Sequence, residues 1–176
     1  MAQNASSTGT MTAVVAARAG KYLTFKLAAE EYGLEILKVQ EIIGTMRITR
    51  VPQMPSFIRG VINLRGKVIP VVDLRQKFGL AAQADTERTC IIVVQISQGD
   101  RRVTTGILVD DVSEVQNIAA EQIEPPPSLG ASVSTDFILG MGKVAQKVVM
   151  LLDTEQVLTR EHVAALAKAG ETASPQ

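Results

Sequence analysis

The sequence predicts an all-β protein in which one supersecondary unit is used twice. Three short blocks recur in the same order along the 176-residue chain. They are Gly33–Ile42 with Gly106–Val115, Phe57–Gly60 with Phe137–Gly140, and Val68–Asp73 with Val148–Asp153. Many short β-type runs with glycine and proline between them are typical of small β-barrels and not of a parallel α/β sheet. Two such units side by side would leave a groove for a helix or strand of another protein.

Composition excludes several classes of function. An apolar fraction of 46% supports a buried core, and no run of about 18 apolar residues could span a membrane. Zero net charge, six aromatic residues and no Trp argue against a nucleic-acid binder. One Cys and one His exclude an intrachain disulfide and a zinc site of the usual kind. The first residues do not resemble a secretion signal, so we expect a cytoplasmic protein without bound metal or cofactor.

The elements of the first half follow from local patterns. Residues 1–19 are rich in Ala, Ser, Thr and Gly and predict a disordered tail. Alternation over Tyr22–Leu27 predicts a half-buried strand, and a turn over 29–33 leads to a second strand over 34–39. Ser56–Arg59 predicts one helical turn that ends at Gly60. Val61–Leu64 and Val68–Leu74 are predicted strands joined by a tight turn at Arg65-Gly66-Lys67.

The second half of the sequence predicts the same order of elements after a polar linker near residues 79–88. Thr89–Ile96 and Arg102–Val109 are predicted strands, and Cys90 in the first of them is expected to be a buried structural thiol. A helical turn is expected over Asp136–Gly140. The closing elements are a hairpin of Met141–Val144 with Lys147–Leu152, and a short C-terminal helix capped by Asp153 or Thr154 that stops at Gly170. Residues 166–176 are predicted to form the helix end and a frayed tail.

Charge is unevenly distributed although it sums to zero. The stretch Arg47–Lys77 holds seven basic residues and one acidic residue, whereas Gly106–Glu124 holds five acidic residues and no basic one. Two readings are open. The stretches are either ordinary solvated loops or two oppositely charged docking faces that steer partners or set head-to-tail contact.

No constellation of catalytic residues is evident. Asp73 and Asp153 occupy equivalent repeat positions, and paired carboxylates could act in acid–base chemistry. Each Asp instead ends an apolar run before a turn or helix, where its carboxylate can accept backbone N–H bonds. His162 is expected on the surface of the terminal helix. The sequence contains no phosphate-binding loop and no dinucleotide fingerprint.

Two features point to binding. Arg65 lies at the tip of the predicted hairpin, where an exposed Arg is either simply solvated or able to hold a partner's carboxylate or carbonyls. The equivalent stretch of the second repeat, 142–145, offers no Arg. In the run Glu35–Glu41, simple alternation places Val39 and Glu41 on one face. That face is either a core strand with polar ends or a partly exposed apolar groove with a polar border.

These residues carry a resemblance to a known family. The Ile-Leu-Lys-Val-Gln-Glu-Ile run within Gly33–Ile42, the block Pro55–Gly66 with its Asn-Leu-Arg-Gly ending, and Ile69–Leu74 resemble the CheW family of bacterial chemotaxis coupling proteins. The second half agrees through Gly106–Val112 and Ala120–Ile123. The likeness covers about residues 20–165. It implies two intertwined five-stranded SH3-like barrels that share a core, and a scaffold without enzymatic activity.

The resemblance also implies partners and site residues. The partners are the regulatory domain of the histidine kinase CheA, the cytoplasmic tip of methyl-accepting chemoreceptors, and other copies of the same coupling protein, all in arrays at the inner face of the membrane. The receptor-facing positions are Ile36, Val39, Glu41, Gly60 and Arg65. Kinase contacts are expected on strand ends and loops of the first barrel.

A second, ring-forming contact is expected around Glu124, Ser128 and Leu129. Glu124 and Ser128 stand where the family pattern has a basic and an acidic residue. Three other readings stay open: the coupling half of a related chemosensory pathway, a β-barrel enzyme or small-ligand binder, and a nucleic-acid-binding SH3-like module that uses residues 47–77.

Overall fold

The computed structural model describes residues 19–81, 83–98, 100–126 and 137–158, and β structure dominates these segments. The strands are β1 Gly20–Leu27, β2 Glu30–Glu35, β3 Val39–Gly44, β4 Ile58–Leu64, β5 Lys67–Asp73, β6 Cys90–Gln98, β7 Arg101–Val109, β8 Asp111–Ile118, β9 Ile123–Glu124, β10 Ile138–Val144 and β11 Lys147–Leu152. The helical pieces are two single turns, α1 Leu74–Lys77 and α2 Thr154–Val157, and two 3₁₀ turns, η1 Ile36–Lys38 and η2 Ala120–Gln122.

The strands form two sheets, which confirms the predicted all-β fold of two similar units. One sheet has the order β8-β1-β2-β11-β10-β9, and the other has the order β3-β6-β7-β5-β4. The first has a sixth strand because the two-residue β9 pairs with β10. In the second sheet the equivalent contact is a single bridge between Thr49 and Val61.

The two repeats exchange strands, so each sheet contains pieces of both. Strand β2 of the first repeat pairs in parallel with β11 of the second, with Gly33 opposite Leu151. Strand β7 of the second repeat pairs in parallel with β5 of the first, with Gly106 opposite Val71. A Cβ at Gly33 would lie 3.0 Å from a Leu151 methyl, and one at Gly106 would lie 2.8 Å from an Ile91 methyl. The close contact of Gly33 is with the parallel strand β11, whereas that of Gly106 is with the antiparallel neighbour β6, and Val71 of the parallel strand β5 would lie 3.4 Å away. The glycine that opens the recurring block thus allows close packing against a neighbouring strand in both halves.

Three apolar clusters fill this architecture. The largest lies between the sheets and combines residues of β1 and β2 with residues of β6 and β7, including Phe25, Leu34, Ile92 and Ile107. A second cluster lies on the other face of the five-stranded sheet, and a third lies on the other face of the six-stranded sheet. Each sheet thus contributes one face to the shared core and one face to its own barrel.

Several local predictions were wrong. The residues predicted as a turn over 29–33 mostly belong to β2, because the tight turn is completed by Ala28 at φ 54° and Ala29. The predicted strand over 34–39 is broken by η1, where the chain leaves one sheet and enters the other. Ser56–Arg59 does not form a helical turn, since β4 begins at Ile58, and β10 likewise begins at Ile138.

The strand-ending aspartates act as predicted. The Asp73 carboxylate accepts hydrogen bonds from the backbone N–H groups of Arg75 and Gln76 and caps α1. Asp153 does the same for Glu155 and Gln156 at α2. Their role is helix capping. Most of the predicted terminal helix, with Gly170 and His162, lies outside the described residues.

The strand exchange leads to a test on separated halves. We expect neither residues 20–83 nor residues 84–165 to unfold cooperatively when expressed alone, because each half lacks the parallel partner of β2 or β7. Mixing the two halves should restore a cooperative transition, measured by circular dichroism during thermal unfolding. A half that folds by itself would show that the exchange is not required.

Candidate functional site

The candidate site lies where the chain crosses from one sheet to the other. Strand β2 ends at Glu35, the 3₁₀ turn η1 follows, and Val39 begins β3 at the edge of the five-stranded sheet. Ile36 and Val39 are partly buried and pack against the shared core. Leu37, between them, is 92% exposed. The crossover thus presents apolar side chains at the rim of the core.

A β-bulge at Gln40 separates residues that simple alternation placed together. Val39 pairs with Val94, which belongs to the shared core, but Glu41 pairs with Val93, which belongs to the interior of the barrel. Because directly opposed residues share a face of a sheet, Val39 and Glu41 lie on opposite faces, and the predicted common face was wrong. A bulge has this effect because it adds one residue to one strand only.

The same register reveals an apolar residue that sequence reasoning missed. Ile42 pairs with Ile92 of the shared core, so it lies on the face of Val39, and it is 43% exposed. Only knowledge of the bulge could have assigned it to this face. We call Ile36, Leu37, Val39, Glu41, Ile42 and Arg65 the binding edge.

Arg65 joins the binding edge from a different element. It occupies a two-residue turn with Gly66, both at positive φ, between β4 and β5. The Asn63 side chain accepts a hydrogen bond of 2.9 Å from the Gly66 N–H and holds this turn. The Arg65 Nη2 atom then lies 2.7 Å from Glu41 Oε2. Since β3 and β4 are the two edges of the five-stranded sheet, this ion pair bridges the opening of the barrel.

This ion pair contributes little to the free energy of folding. Arg65 is 74% exposed, and exposed ion pairs contribute only about 0–1 kcal/mol. The other carboxylate oxygen of Glu41 is buried, and no hydrogen bond from the described residues reaches it. The exposed guanidinium of Arg65 keeps donors that a partner's carboxylate or carbonyl can accept.

Gly60 has a structural role in the site. It is buried in β4 at φ +146°, and a Cβ there would lie 2.2 Å from the Thr49 carbonyl oxygen. That close approach allows Thr49 and Val61 to exchange two backbone hydrogen bonds of 2.8 Å. Gly140 is the counterpart in the second repeat, where a Cβ would lie 3.1 Å from the Glu124 carbonyl oxygen.

The proposed ring-contact residues are only partly described. Glu124 is exposed on β9, and its carboxylate lies 2.7 Å from the Lys143 Nζ atom. Ser128 and Leu129 lie outside the described residues. The structure therefore brings Ile36, Val39, Glu41 and Arg65 to one region, places Gly60 on β4 against Thr49, and places Glu124 in the other sheet.

A shallow depression lies on the first barrel beside β4. It has a volume of about 320 Å³ and is lined by Thr49, Arg50, Val51, Pro52, Val61, Ile62, Asn63 and Val68. Arg50 is exposed at this rim, and no ion pair of the described residues includes it. We call these eight residues the β4 depression.

The predicted basic and acidic stretches meet in part. The Arg75 Nη1 atom of the basic stretch lies 2.7 Å from an Asp110 carboxylate oxygen of the acidic stretch. Arg59 pairs at 3.1 Å with Asp73, the one acidic residue of the basic stretch itself. These four side chains are paired within the chain. Arg47, Arg50 and Lys67 remain exposed on the first barrel.

No metal-binding cluster of His, Cys, Asp or Glu occurs among the residues that the structure covers. Cys90 is only partly buried, not fully buried as predicted, and its thiol donates a hydrogen bond of 3.2 Å to the Arg88 carbonyl. Burial raises the pKa of this thiol, which disfavours the reactive thiolate. Within the described segments, no helix is long and apolar enough to cross a membrane.

Known proteins resemble this chain along most of its length. The family model described as the CheW-like domain matches residues 21–162. The chemotaxis protein CheW of Klebsiella aerogenes is 42% identical over 82% of this chain and 84% of its own length. CheW of Helicobacter pylori is 33% identical over 80% of this chain and 82% of its own length. The crystal structure of the scaffolding protein TtCheW from Thermoanaerobacter tengcongensis has a TM-score of 0.72 and 36% identity, and the match covers 82% of this chain and 95% of that one.

The structural role of Gly60 is testable against a matched glycine. Gly20 has a similar φ of +154° but open space around its Cβ position, so backbone strain is common to both sites. We expect Gly60→Ala to lower the free energy of unfolding by about 1–3 kcal/mol more than Gly20→Ala, because only Gly60 adds a steric clash. Urea unfolding measures the difference. Equal losses would show that the close approach of Thr49 is unimportant.

Proposed function

The chain belongs to the CheW-like domain family of chemotaxis scaffold proteins, and on that premise we propose that it couples chemoreceptor tips to the histidine kinase CheA. Its relatives are named as chemotaxis and scaffolding proteins and not as enzymes. In this proposal the protein works by holding two partners in one geometry within a chemosensory array. It reaches the inner face of the membrane through the receptors and does not insert into the bilayer.

The binding edge is the proposed receptor site. A chemoreceptor tip is an antiparallel helical hairpin, and the partly buried Ile36 and Val39 with the exposed Ile42 offer an apolar strip to one of its helices. Arg65 and Glu41 add a charged border that fixes the register of that helix. The observation that carries this proposal is the 2.7 Å ion pair of the exposed Arg65 with Glu41, because it links the hairpin tip to strand β3, whose other face carries Val39 and Ile42.

The β4 depression is the proposed contact for the regulatory domain of CheA. It lies on loops and strand ends of the first barrel, as expected for the kinase contact. Its walls are apolar at Val51, Pro52 and Val68, and Arg50 supplies a cation at the rim. An apolar pocket with one charged anchor suits a modest protein contact.

Weak individual contacts suffice in this arrangement. Each partner is held in an array with many copies, so the effective concentration of the second partner is high once the first has bound. The exposed Glu124 on the second barrel, together with Ser128 and Leu129, is proposed for a further ring contact with a kinase domain or with another copy of this chain.

Receptor binding is tested by reversing the charge of Arg65. We expect Arg65→Glu to weaken binding of a purified chemoreceptor cytoplasmic fragment by about 30-fold, or about 2 kcal/mol, because the guanidinium faces both the partner and Glu41. Isothermal titration calorimetry measures the affinity. Lys67→Glu is the control, since it changes the charge by the same amount on an exposed residue of the same hairpin. If both variants bind like the unmodified chain, Arg65 is not part of the receptor site.

Kinase binding is tested at the β4 depression with a symmetry-matched control. We expect Val68→Glu to weaken binding of the isolated CheA regulatory domain by about tenfold, because a carboxylate would be buried among apolar walls. Val148→Glu changes the equivalent, exposed residue of the second repeat and should have little effect. Surface plasmon resonance with immobilised kinase domain compares them. A larger loss for Val148→Glu would move the kinase contact to the second barrel.

A further inference from the structure

The parallel strand pairs determine what lies beside each crossover. Because β2 and β11 run in the same direction, the segments that follow them emerge at the same end of the sheet. The segment after β2 is η1, and the segment after β11 is α2. The 3₁₀ turn of the binding edge is therefore adjacent to the helix that follows the second repeat.

One ion pair links these two segments. The Lys38 Nζ atom donates a hydrogen bond of 2.8 Å to Glu155 Oε1, and the side chains are only 33% and 31% exposed. The hydrogen bond to Glu155 raises the pKa of Lys38 despite its partial burial. Burial alone would raise the pKa of Glu155, but the hydrogen bond from Lys38 and its positive charge leave that pKa lowered. Both groups are therefore charged at neutral pH.

Besides this ion pair, a backbone hydrogen bond from the Val39 N–H to the Ile36 carbonyl oxygen closes η1. The turn has no side-chain capping hydrogen bond and no fully buried residue. Ile36 packs partly against the shared core, and Leu37 is almost completely exposed. The Lys38 side chain ties this three-residue turn to α2, and Ile36 within the turn and Val39 after it belong to the binding edge.

The other crossover, between β7 and β8, has an equivalent ion pair in which the positions of cation and anion are reversed. Strands β5 and β7 are also parallel, so α1 lies beside the crossover after β7. There the cation, Arg75, is on the helix, two residues after the capping Asp73, and the anion, Asp110, is on the crossover. In the first crossover the cation, Lys38, is on the crossover and the anion, Glu155, is two residues after the capping Asp153. If η1 packed against α1 instead of α2, the two cations Lys38 and Arg75 would lie together and repel each other. Each crossover is therefore compatible with only one of the two helices.

We infer that Lys38 and Glu155 are positioning residues for the binding edge: their ion pair fixes η1, so that Ile36, Leu37 and Val39 meet the partner in one preformed geometry. The inference rests on the proposed receptor-binding role of this edge. A partner that docks on a preformed edge avoids the cost of ordering it at the moment of binding. The Arg75–Asp110 pair fixes the other crossover, which carries no part of the binding edge.

The two pairs supply a matched experiment on the full-length chain. We expect Lys38→Met to weaken binding of a purified chemoreceptor cytoplasmic fragment by about tenfold at a temperature well below unfolding. The charge-swapped double variant, Lys38→Glu with Glu155→Lys, should recover most of that affinity because it rebuilds the pair. Arg75→Met should lower the midpoint of thermal unfolding at least as much as Lys38→Met and leave receptor binding unchanged.

Each outcome is decisive. Unchanged affinity in folded Lys38→Met, a folded charge-swapped variant that still binds weakly, or an equal loss in Arg75→Met would overturn the inference. If Lys38→Met does not fold, the charge-swapped variant alone decides it. Arg65→Glu separates the two levels of the proposal. If the unmodified chain does not bind the receptor fragment, the proposed function fails, whereas loss of binding in Arg65→Glu but not in Lys38→Met contradicts only the positioning role.

Discussion

Reciprocal parallel pairing between the repeats is the constraint on which the rest of the molecule depends. Neither repeat completes its own sheet, because β2 pairs with β11 and β7 pairs with β5. The exchange puts a shared core between the sheets and forces two crossovers through the junction. Each crossover then lies beside the helix turn of the opposite repeat. The position of the binding edge is a direct consequence of this connectivity.

The two halves share a backbone plan but have diverged in chemistry. The first barrel has an exposed Arg65 at its hairpin tip and an apolar depression beside β4. At the equivalent tip the second barrel has Ala145, also at positive φ. Its edge strand β9 is joined to β10 by the ion pair of Glu124 with Lys143. Duplication thus supplied a stable frame, and the proposed receptor and kinase contacts are concentrated on one of its two copies.

Sequence alone predicted the features that depend on local chemistry or on the repeat. The recurring blocks indicated a duplicated all-β fold, and Asp73 and Asp153 were correctly expected to cap the following turns. The tight turn at Arg65-Gly66 also followed from local residue preferences. The family resemblance, not the pattern, supplied the candidate site residues.

The remaining features depend on tertiary contacts that have no local signature. The bulge at Gln40 separates Val39 from Glu41 because β3 must match the register of β6. Gly60 looked like a helix terminator, but its lack of a side chain serves the approach of Thr49, which is distant in sequence. The ion pairs of Lys38 and Arg75 arise only after parallel strands bring separate segments together.

The central claim is that one rigid frame presents two separate surfaces at once. The most direct test is amide hydrogen exchange of the full chain with a chemoreceptor fragment, with the CheA regulatory domain, and with both together. We expect protection at residues 36–42 and 65 with the receptor, protection at residues 49–52 and 61–63 with the kinase domain, and both patterns in the mixture. A single overlapping footprint, or loss of one partner when the other is added, would contradict it.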